Sequence, residues 1–326
     1  MGTAAARELP AEAFFHRGGV RIAEHGRYHL DLRHPAALRH LDEAVDLLAG
    51  DLGIGYLKLD YNIRADPGTD SGGISAGAGL LEHNRALLGW LDRVLDRHPG
   101  LTIENCASGA MRADYAMLAR LQLQSTSDQQ DFLRYPVIAA AAPAAITPEQ
   151  AGIWCYPQPH FSTGEIAFTL CGALLGRIHL SGHLDRMSPA QRELIAGAVS
   201  VYKQLRPDLA DAVPFWPLGL PRWADSRVAL GMRGRTRSYL LVWRRGPRQA
   251  AGHGSPQAPA PGKAAAGEHA AVTLPVRHLR SRPAAAQVLF PAGPVAPPRW
   301  DAAKGELTVT LPAAPAAGLI CLATTT

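Results

Sequence analysis

Short apolar runs of strand length alternate with longer amphipathic runs across residues 32–206, and this alternation limits the fold more than any other feature of the chain. It is typical of a parallel sheet covered by helices, because parallel neighbours need a crossover connection. The fold class is therefore α/β, with five strands predicted at residues 55–60, 101–106, 121–126, 151–155 and 177–180. Five strands make only part of a (β/α)8 TIM barrel, since a closed barrel needs eight.

The pattern changes after Pro207 to short apolar runs separated by Gly and Pro. Short strands at this spacing predict an antiparallel β-sandwich. We therefore predict a partial barrel over residues 1–206 and a C-terminal β-sandwich domain over residues 207–326. Residues 245–270 are mostly small or polar, so they contain too few large apolar side chains to offset the entropy of ordering. We expect a flexible insertion there.

Composition and charge exclude several classes of protein. Charged residues make up 19% of the chain and hydrophobic residues 47%, so most of it should fold. A net charge of +5 without a continuous basic face argues against a nucleic-acid partner. The absence of a signal peptide and of a membrane-length apolar run predicts a cytoplasmic protein with no membrane association. Self-association as a homo-oligomer is possible.

The four cysteines lack CxxC spacing, which argues against a zinc site and against a disulfide framework. We expect free thiols, no metal and no cofactor. The histidines are expected to be hydrogen-bonded structural groups.

The first candidate for catalysis is the strand at residues 56–62, whose last residues become polar. Side chains alternate along a strand, so Lys58, Asp60 and Asn62 should share one face. Residues at the carboxyl ends of barrel strands line the mouth of the site. An ammonium group beside Asp60 would favour the ionised carboxylate that a nucleophile needs. The alternative is an ordinary surface ion pair.

A second carboxylate, Asp128, follows the predicted strand at residues 121–126 and should also point into the mouth. Strands two apart are about 10 Å distant, and inward-leaning side chains bring two carboxyl groups closer. Retaining glycosidases place them about 5 to 5.5 Å apart and inverting enzymes about 6.5 to 9.5 Å, so the spacing permits either. Alternatively, Ser127 or Asp128 caps the following helix.

Between the two aspartates, residues 104–112 run from a strand into small residues and then a helix. Small residues let a ligand approach the backbone, and helix N-termini offer N–H donors to hydroxyl groups, which suits a sugar. Cys106 as a thiolate nucleophile is the competing interpretation, but no histidine stands at a recognisable partner position. Trp154, near the end of a strand, is either a core residue or a platform on which a sugar stacks.

Four motifs in order resemble glycoside hydrolase family 36, which contains α-galactosidases. They are the segment with Leu30-Asp31-Leu32 and Pro35, the strand at residues 56–62, the segment at residues 105–109 with Arg112, and the segment at residues 125–129. The resemblance implies a retaining mechanism with Asp60 as nucleophile and Asp128 as acid and base. It also implies an α-galactoside substrate whose hydroxyl groups are bound by Lys58 and Asn62. By the same resemblance, the substrate pocket is shaped by Cys106, Ser108, Gly109 and Arg112.

Three departures from the family pattern bear on the substrate. Leu59 replaces the usual Trp, and Ala110-Met111 replaces a more Gly-rich run. A sugar-binding Arg of the family falls in register on His25, so Arg27 is the candidate for that contact.

Family members carry an N-terminal sandwich and three barrel strands before the Leu-Asp-Leu segment, and residues 1–26 contain no Asp-Asp-Gly-Trp-like sequence. We therefore expect the C-terminal portion of a retaining α-galactosidase that is inactive in isolation. The alternatives are an α-N-acetylgalactosaminidase, a raffinose-type α-galactosyl transferase, and an inactive sugar-binding fragment.

Overall fold

The computed structural model describes residues 2–246 and 270–325. The chain forms two compact units, Met1–Ser125 and Thr126–Thr326. The predicted domain boundary at residues 206/207 stays a prediction. Most of the predicted insertion, residues 247–269, lies outside the described residues; at its edges, Arg245 Nε donates to the Leu133 carbonyl and Ala270 begins a strand.

The first unit begins with a short helix and two small hairpins, which are followed by alternating helices and strands. Its helices are α1 (Ala4–Glu8), α2 (Pro35–Val45), α3 (Ala76–Arg97) and α4 (Tyr115–Leu118), with a π-helical segment at Asp46–Asp51. Its strands are β1 (His16–Arg17), β2 (Val20–Arg21), β3 (Ala23–Glu24), β4 (Arg27–Tyr28), β5 (Tyr56–Asp60), β6 (Thr102–Cys106) and β7 (Leu123–Ser125).

Helix α3 packs its apolar stripe against the sheet of this unit. Ser75 begins the helix, since its hydroxyl accepts a hydrogen bond from the Ala78 amide, and such a cap is worth about 1 kcal/mol. The buried side chains of Trp90 and Leu91 share a core with Ile103 of β6. Leu57 and Leu59 of β5 pack against the same core, which leaves the other face of β5 to its polar residues.

Strands β5, β6 and β7 run parallel, so their carboxyl ends lie at one edge of the sheet. The register pairs Lys58 with Glu104 and Asp60 with Cys106. Paired residues of neighbouring strands project on the same face of the sheet. The polar residues of β5 and β6 therefore form one surface.

The second unit begins with helices and a parallel strand pair. The helices are α5 (Tyr135–Ala141), α6 (Thr163–Cys171) and α7 (Pro189–Leu209), and the parallel pair is β8 (Ala151–Cys155) with β9 (Arg177–Leu180). Capping boxes begin both α6 and α7: the Ser162 and Ser188 hydroxyls each accept a bond from the third helical amide, and that residue's side chain bonds back.

The remaining strands of the second unit, among the residues that the structure describes, form two antiparallel sheets. One has the order β10 (Val213–Phe215), β11 (Arg227–Arg233), β12 (Arg237–Arg244), β17 (Ala316–Thr324) and β14 (Ala284–Phe290); the other is β13 (Ala270–Pro275), β16 (Glu306–Leu311) and β15 (Arg299–Asp301). Both contribute to one apolar core, in which Leu240 and Ile320 of the first sheet join Leu274, Leu307 and Val309 of the second.

The α/β class and the five parallel strands, three in the first unit and two in the second, agree with the sequence pattern. Several bounds differ: the strand predicted at residues 121–126 is only Leu123–Ser125, and the strands predicted at residues 55–60 and 101–106 begin one residue later, at Tyr56 and Thr102. The short strands β1 to β4, β10 and β15 were not predicted, because two or three residues are too few for a periodic signal.

The helices in the described part of the chain include none with both the length and the apolar character that a membrane span requires.

Candidate active site

The polar face of β5 places a carboxylate at the carboxyl edge of the sheet. Tyr56, Lys58 and Asp60 are exposed, whereas the intervening leucines are half-buried. Asn62 Nδ2 donates to Asp60 Oδ2 at 2.7 Å, so these two side chains meet as the alternation predicts. The carboxylate is thus exposed, oriented and open on one side.

Asn62 also binds the loop that follows β6. Its Oδ1 accepts hydrogen bonds from the Ser108 amide at 2.5 Å and from the Ser108 hydroxyl at 3.3 Å. Ser108 and Gly109 have positive φ values of 45° and 83°, and the Ala107 amide donates to the Gly109 carbonyl. This tight turn brings Ser108 to the Asp60–Asn62 pair, and a side chain at position 109 would strain it.

Cys106 lies beneath this pair in a buried position. Burial raises the pKa of its thiol, and a hydrogen bond to Asp60 raises it further. The thiol is therefore neutral near pH 7 and unsuited to act as a thiolate nucleophile. Its place beside Asp60 suits a residue that shapes the pocket.

Glu104 is a member of the cluster that the sequence reasoning did not single out. It is 1% exposed, lies 3.7 Å from Lys58 Nζ through Oε1, and accepts a hydrogen bond from the Tyr56 hydroxyl. Burial and this bond raise the pKa of Tyr56. The register of β5 with β6 was the signal for Glu104, since Lys58 pairs with it across the sheet.

Arg112 is directed at the backbone of the loop after β5. Its Nε donates to the Tyr61 carbonyl at 3.2 Å and its Nη2 donates to the Ile63 carbonyl at 2.8 Å. The guanidinium lies 3.7 Å from the centroid of the Tyr61 ring. The guanidinium is thus used, at least in part, to hold the residues on either side of Asn62.

The candidate contact at Arg27 lies in a hairpin remote in sequence from the β5 edge. Arg27 is exposed on β4, and His25 and Gly26 form the turn that joins β4 to β3, both with positive φ. Among the described residues, the Arg27 side chain has no hydrogen-bond or ion-pair partner. Its role in sugar binding stays a prediction.

Asp128 belongs to the second unit, in the extended segment after β7. It is exposed, while Ser127 Oγ accepts a hydrogen bond from the Gln129 amide. Helix α5 begins only at Tyr135, and Arg134 precedes it without a side-chain cap. The helix-cap alternative for Ser127 or Asp128 is therefore wrong.

Trp154, also in the second unit, is half-buried on β8. Its ring lies nearly parallel to that of Tyr156, with centroids 6.0 Å apart, and nearly perpendicular to that of His179 at 5.1 Å. A narrow cleft here includes Gln129 and Gln130 in its lining. The Trp154 ring thus contacts Tyr156 and His179 while part of the residue stays accessible, and its role as a platform for a sugar stays a prediction.

A family model described as melibiase matches residues 7–210 of the chain. The chain belongs to the melibiase family. All the candidate residues, from Arg27 to Asp128, fall inside the matched region. The resemblance to glycoside hydrolase family 36 α-galactosidases is confirmed.

Two curated relatives of this melibiase-family chain are α-galactosidases. The α-galactosidase 2 of Pediococcus pentosaceus is 27% identical over 182 residues, which cover 54% of this chain and 25% of the relative. The α-galactosidase of Escherichia coli is 29% identical over 175 residues, which cover 52% and 24%. The chain thus spans about a quarter of the length of the curated relatives it matches.

Solved structures extend the similarity to the whole fold of the chain. The galactosidase domain of the α-galactosidase-sucrose kinase AgaSK has a TM-score of 0.75 at 16% identity, covering 99% of this chain and 42% of that one. A variant of the family 36 α-galactosidase AgaA from Geobacillus stearothermophilus, solved with raffinose, has a TM-score of 0.74 at 15% identity, covering 99% and 43%. These matches show a shared fold.

Proposed function

We propose that this melibiase-family chain provides the catalytic aspartates of an enzyme that hydrolyses terminal α-D-galactosyl residues of galacto-oligosaccharides with retention of configuration. Because the chain alone is expected to be inactive, hydrolysis is measured on an enzyme that also contains the remaining barrel strands. The observation that carries the proposal is the Asp60 carboxylate at the carboxyl end of β5, oriented by Asn62 at 2.7 Å inside the matched region. The raffinose in the AgaA structure supports an α-galactoside as the substrate class. The five parallel strands would form part of a (β/α)8 barrel, and the two antiparallel sheets the C-terminal sandwich.

In the proposed double displacement, an Asp60 oxygen attacks the anomeric carbon while the bond to the leaving oxygen breaks. Asp128 gives its proton to that oxygen, so the leaving group departs as an alcohol. The ionised Asp128 then takes a proton from water, and the resulting hydroxide oxygen displaces Asp60 from the sugar. Two inversions restore the original configuration, and both carboxyl groups return to their starting states.

The neighbouring residues would bind the galactosyl group. Lys58, held near Glu104, and Asn62, held by Ser108, present a cation and an amide beside Asp60. Fixed polar groups of this kind discriminate against sugars that lack the matching hydroxyl, because the protein groups would then stay unpaired. Cys106, Ser108, Gly109 and Arg112 would shape the pocket, directly or through the loop.

A panel of nitrophenyl glycosides tests the proposal. The α-galactoside should be hydrolysed in preference to the β-galactoside and the α-N-acetylgalactosaminide, and the first galactose seen by NMR should be the α anomer. Preference for the acetamido sugar would support the α-N-acetylgalactosaminidase alternative, and transfer to an added acceptor sugar in place of water would support the transferase. A β anomer as first product would contradict retention.

The role of Asp128 predicts a dependence on the leaving group. Asp128→Asn should lower kcat/KM for raffinose about a hundredfold or more, because its leaving oxygen needs a proton. The loss should be much smaller for an activated nitrophenyl galactoside, whose leaving group departs unprotonated. Asp131→Asn, three positions along the same segment, is the matched control and should leave both substrates nearly unaffected. Equal losses for the two substrates would contradict the assignment.

A further inference from the structure

Two buried imidazole rings and the half-buried phenol ring of Tyr61 form a row behind the Asp60–Asn62 pair. Tyr61 lies between these two residues in sequence, so its side chain projects from the opposite side of the chain. Its hydroxyl lies 2.6 Å from His29 Nε2 and 3.0 Å from His83 Nε2. His29 is 3% exposed and His83 0%. The ring of Phe15 stacks on His29 and meets His83 edge-on, closing the site.

The backbone determines which nitrogen of each imidazole carries the proton. The Leu32 amide donates to His83 Nδ1 at 3.1 Å, so Nδ1 is an acceptor and the proton of the neutral ring is on Nε2. His29 Nδ1 lies 3.0 Å from the Leu30 carbonyl, which only accepts, so the proton is on Nδ1 and Nε2 is an acceptor. Both rings therefore have a fixed tautomer.

With these tautomers, both hydrogen bonds of the row donate in the same direction, from His83 through Tyr61 to His29. His83 Nε2–H donates to the Tyr61 oxygen, and the Tyr61 hydroxyl donates to His29 Nε2. Each polar atom that faces the phenol has its partner, and a phenylalanine at position 61 would leave one donor and one acceptor unpaired in a buried place. Burial keeps both imidazoles neutral, with Asp31, Arg33 and Arg112 as the charged groups near them.

The Tyr61 backbone is attached to the candidate site at the same time. Its amide donates to the Cys106 carbonyl at 2.8 Å, and its carbonyl accepts from Arg112 Nε. The phenol is therefore held by the segment after β4 and by helix α3, while the peptide groups are held by β6 and its loop. A shift of the ring would move the two residues that flank it.

We propose that Tyr61 is a positioning residue, whose bonds to His29 and His83 hold Asn62 against Ser108 and thereby orient Asp60. The effect of this positioning on catalysis rests on the proposed function, whereas the positioning itself does not. The Tyr61 hydroxyl joins the segment after β4 and helix α3 to the residue that directly follows strand β5.

The Ser108 amide reports on this arrangement, because it donates to Asn62 Oδ1. In Tyr61→Phe, the hydrogen exchange of Ser108 should accelerate about tenfold or more, while the Ile103 amide, which donates to Gln122 Oε1, should change much less. Tyr28→Phe is the control, since Tyr28 packs edge-on against Phe14 and its hydroxyl has no hydrogen-bond partner among the described residues.

Unchanged exchange at Ser108, or an equal acceleration at Ser108 and Ile103, would overturn the proposal, since the second outcome indicates general destabilisation. A second measurement needs no variant: the nitrogen shifts of the wild-type imidazoles should show the proton on Nε2 of His83 and on Nδ1 of His29, and the opposite tautomers would also overturn it. Because neither measurement uses turnover, an enzyme that contains this chain together with the remaining barrel strands and fails to hydrolyse galactosides would refute the proposed function and leave this test intact.

Discussion

Asp60→Asn is expected to lower kcat/KM for an α-galactoside at least about a thousandfold. The amide keeps the shape of the side chain and its place beside Asn62, but it lacks the charge that attacks the anomeric carbon. Steady-state hydrolysis of a nitrophenyl α-galactoside measures the loss, and unchanged circular dichroism shows that the fold persists.

The matched control is Asp92→Asn. Asp92 lies on helix α3 in the same unit and pairs with Arg120 on the surface, 2.8 Å from its Nε. Neutralising it removes one carboxylate far in sequence from the β5 edge, and surface pairs of this kind contribute little to stability. Hydrolysis should change less than about twofold. An Asp60→Asn enzyme as active as this control would remove Asp60 from the mechanism.

Acidification is expected to destabilise the first unit strongly through His29 and His83. Burial lowers the pKa of His29 from 6.5 to about 4 and that of His83 to about 3. The unfolded chain binds these protons near pH 6.5, so it holds more protons than the folded chain below that pH. The contribution of the two neutral histidines to the free energy of unfolding is therefore fully present above pH 6.5. It is lost as the pH falls toward 4, the pKa of His29, and then toward 3, the pKa of His83. For His29 alone it is worth about 3 kcal/mol.

Urea denaturation at pH 7 and at pH 4 measures this effect when it is followed by the amide resonances of helix α3, which belong to the first unit. The unfolding midpoint should be clearly lower at pH 4. His83→Gln removes one of the two titrating groups, so its stability should depend less on pH, whereas His25→Asn, at an exposed turn, should behave as the wild type. A His83→Gln chain with the full pH dependence would contradict this account.

The parallel strands could be predicted because their signal is local. Residues 151–155 form an apolar run and residues 177–180 alternate polar with apolar side chains, and the structure has strands at Ala151–Cys155 and Arg177–Leu180. The common face of Lys58 and Asp60 followed from the two-residue period of a strand alone. The hairpins before Pro35 have strands of two residues, which leave no period to detect.

The contacts behind the site were beyond sequence reasoning, because they join residues far apart in the chain. In the sequence, His29 and His83 are 54 positions apart and each is expected to be a structural histidine. Only the fold brings both of them to the Tyr61 hydroxyl. Glu104 was hidden for the same reason, since its bonds to Tyr56 and Lys58 depend on the register between β5 and β6. The role of Arg112 in shaping the sugar pocket stays a prediction, and the bonds from its Nε and Nη2 to two backbone carbonyls could not be predicted from the sequence.

The most direct test of Asp60 as the nucleophile is to trap the covalent intermediate with a 2-deoxy-2-fluorogalactosyl donor that carries an activated leaving group. Trypsin cuts after Lys58 and Arg64, and the resulting peptide, residues 59–64, contains Asp60 as its one side-chain carboxylate. Mass spectrometry should find one fluorogalactosyl group on this peptide. A label on the peptide of residues 121–134, which contains Asp128, or no label on an enzyme that hydrolyses α-galactosides, would contradict the account.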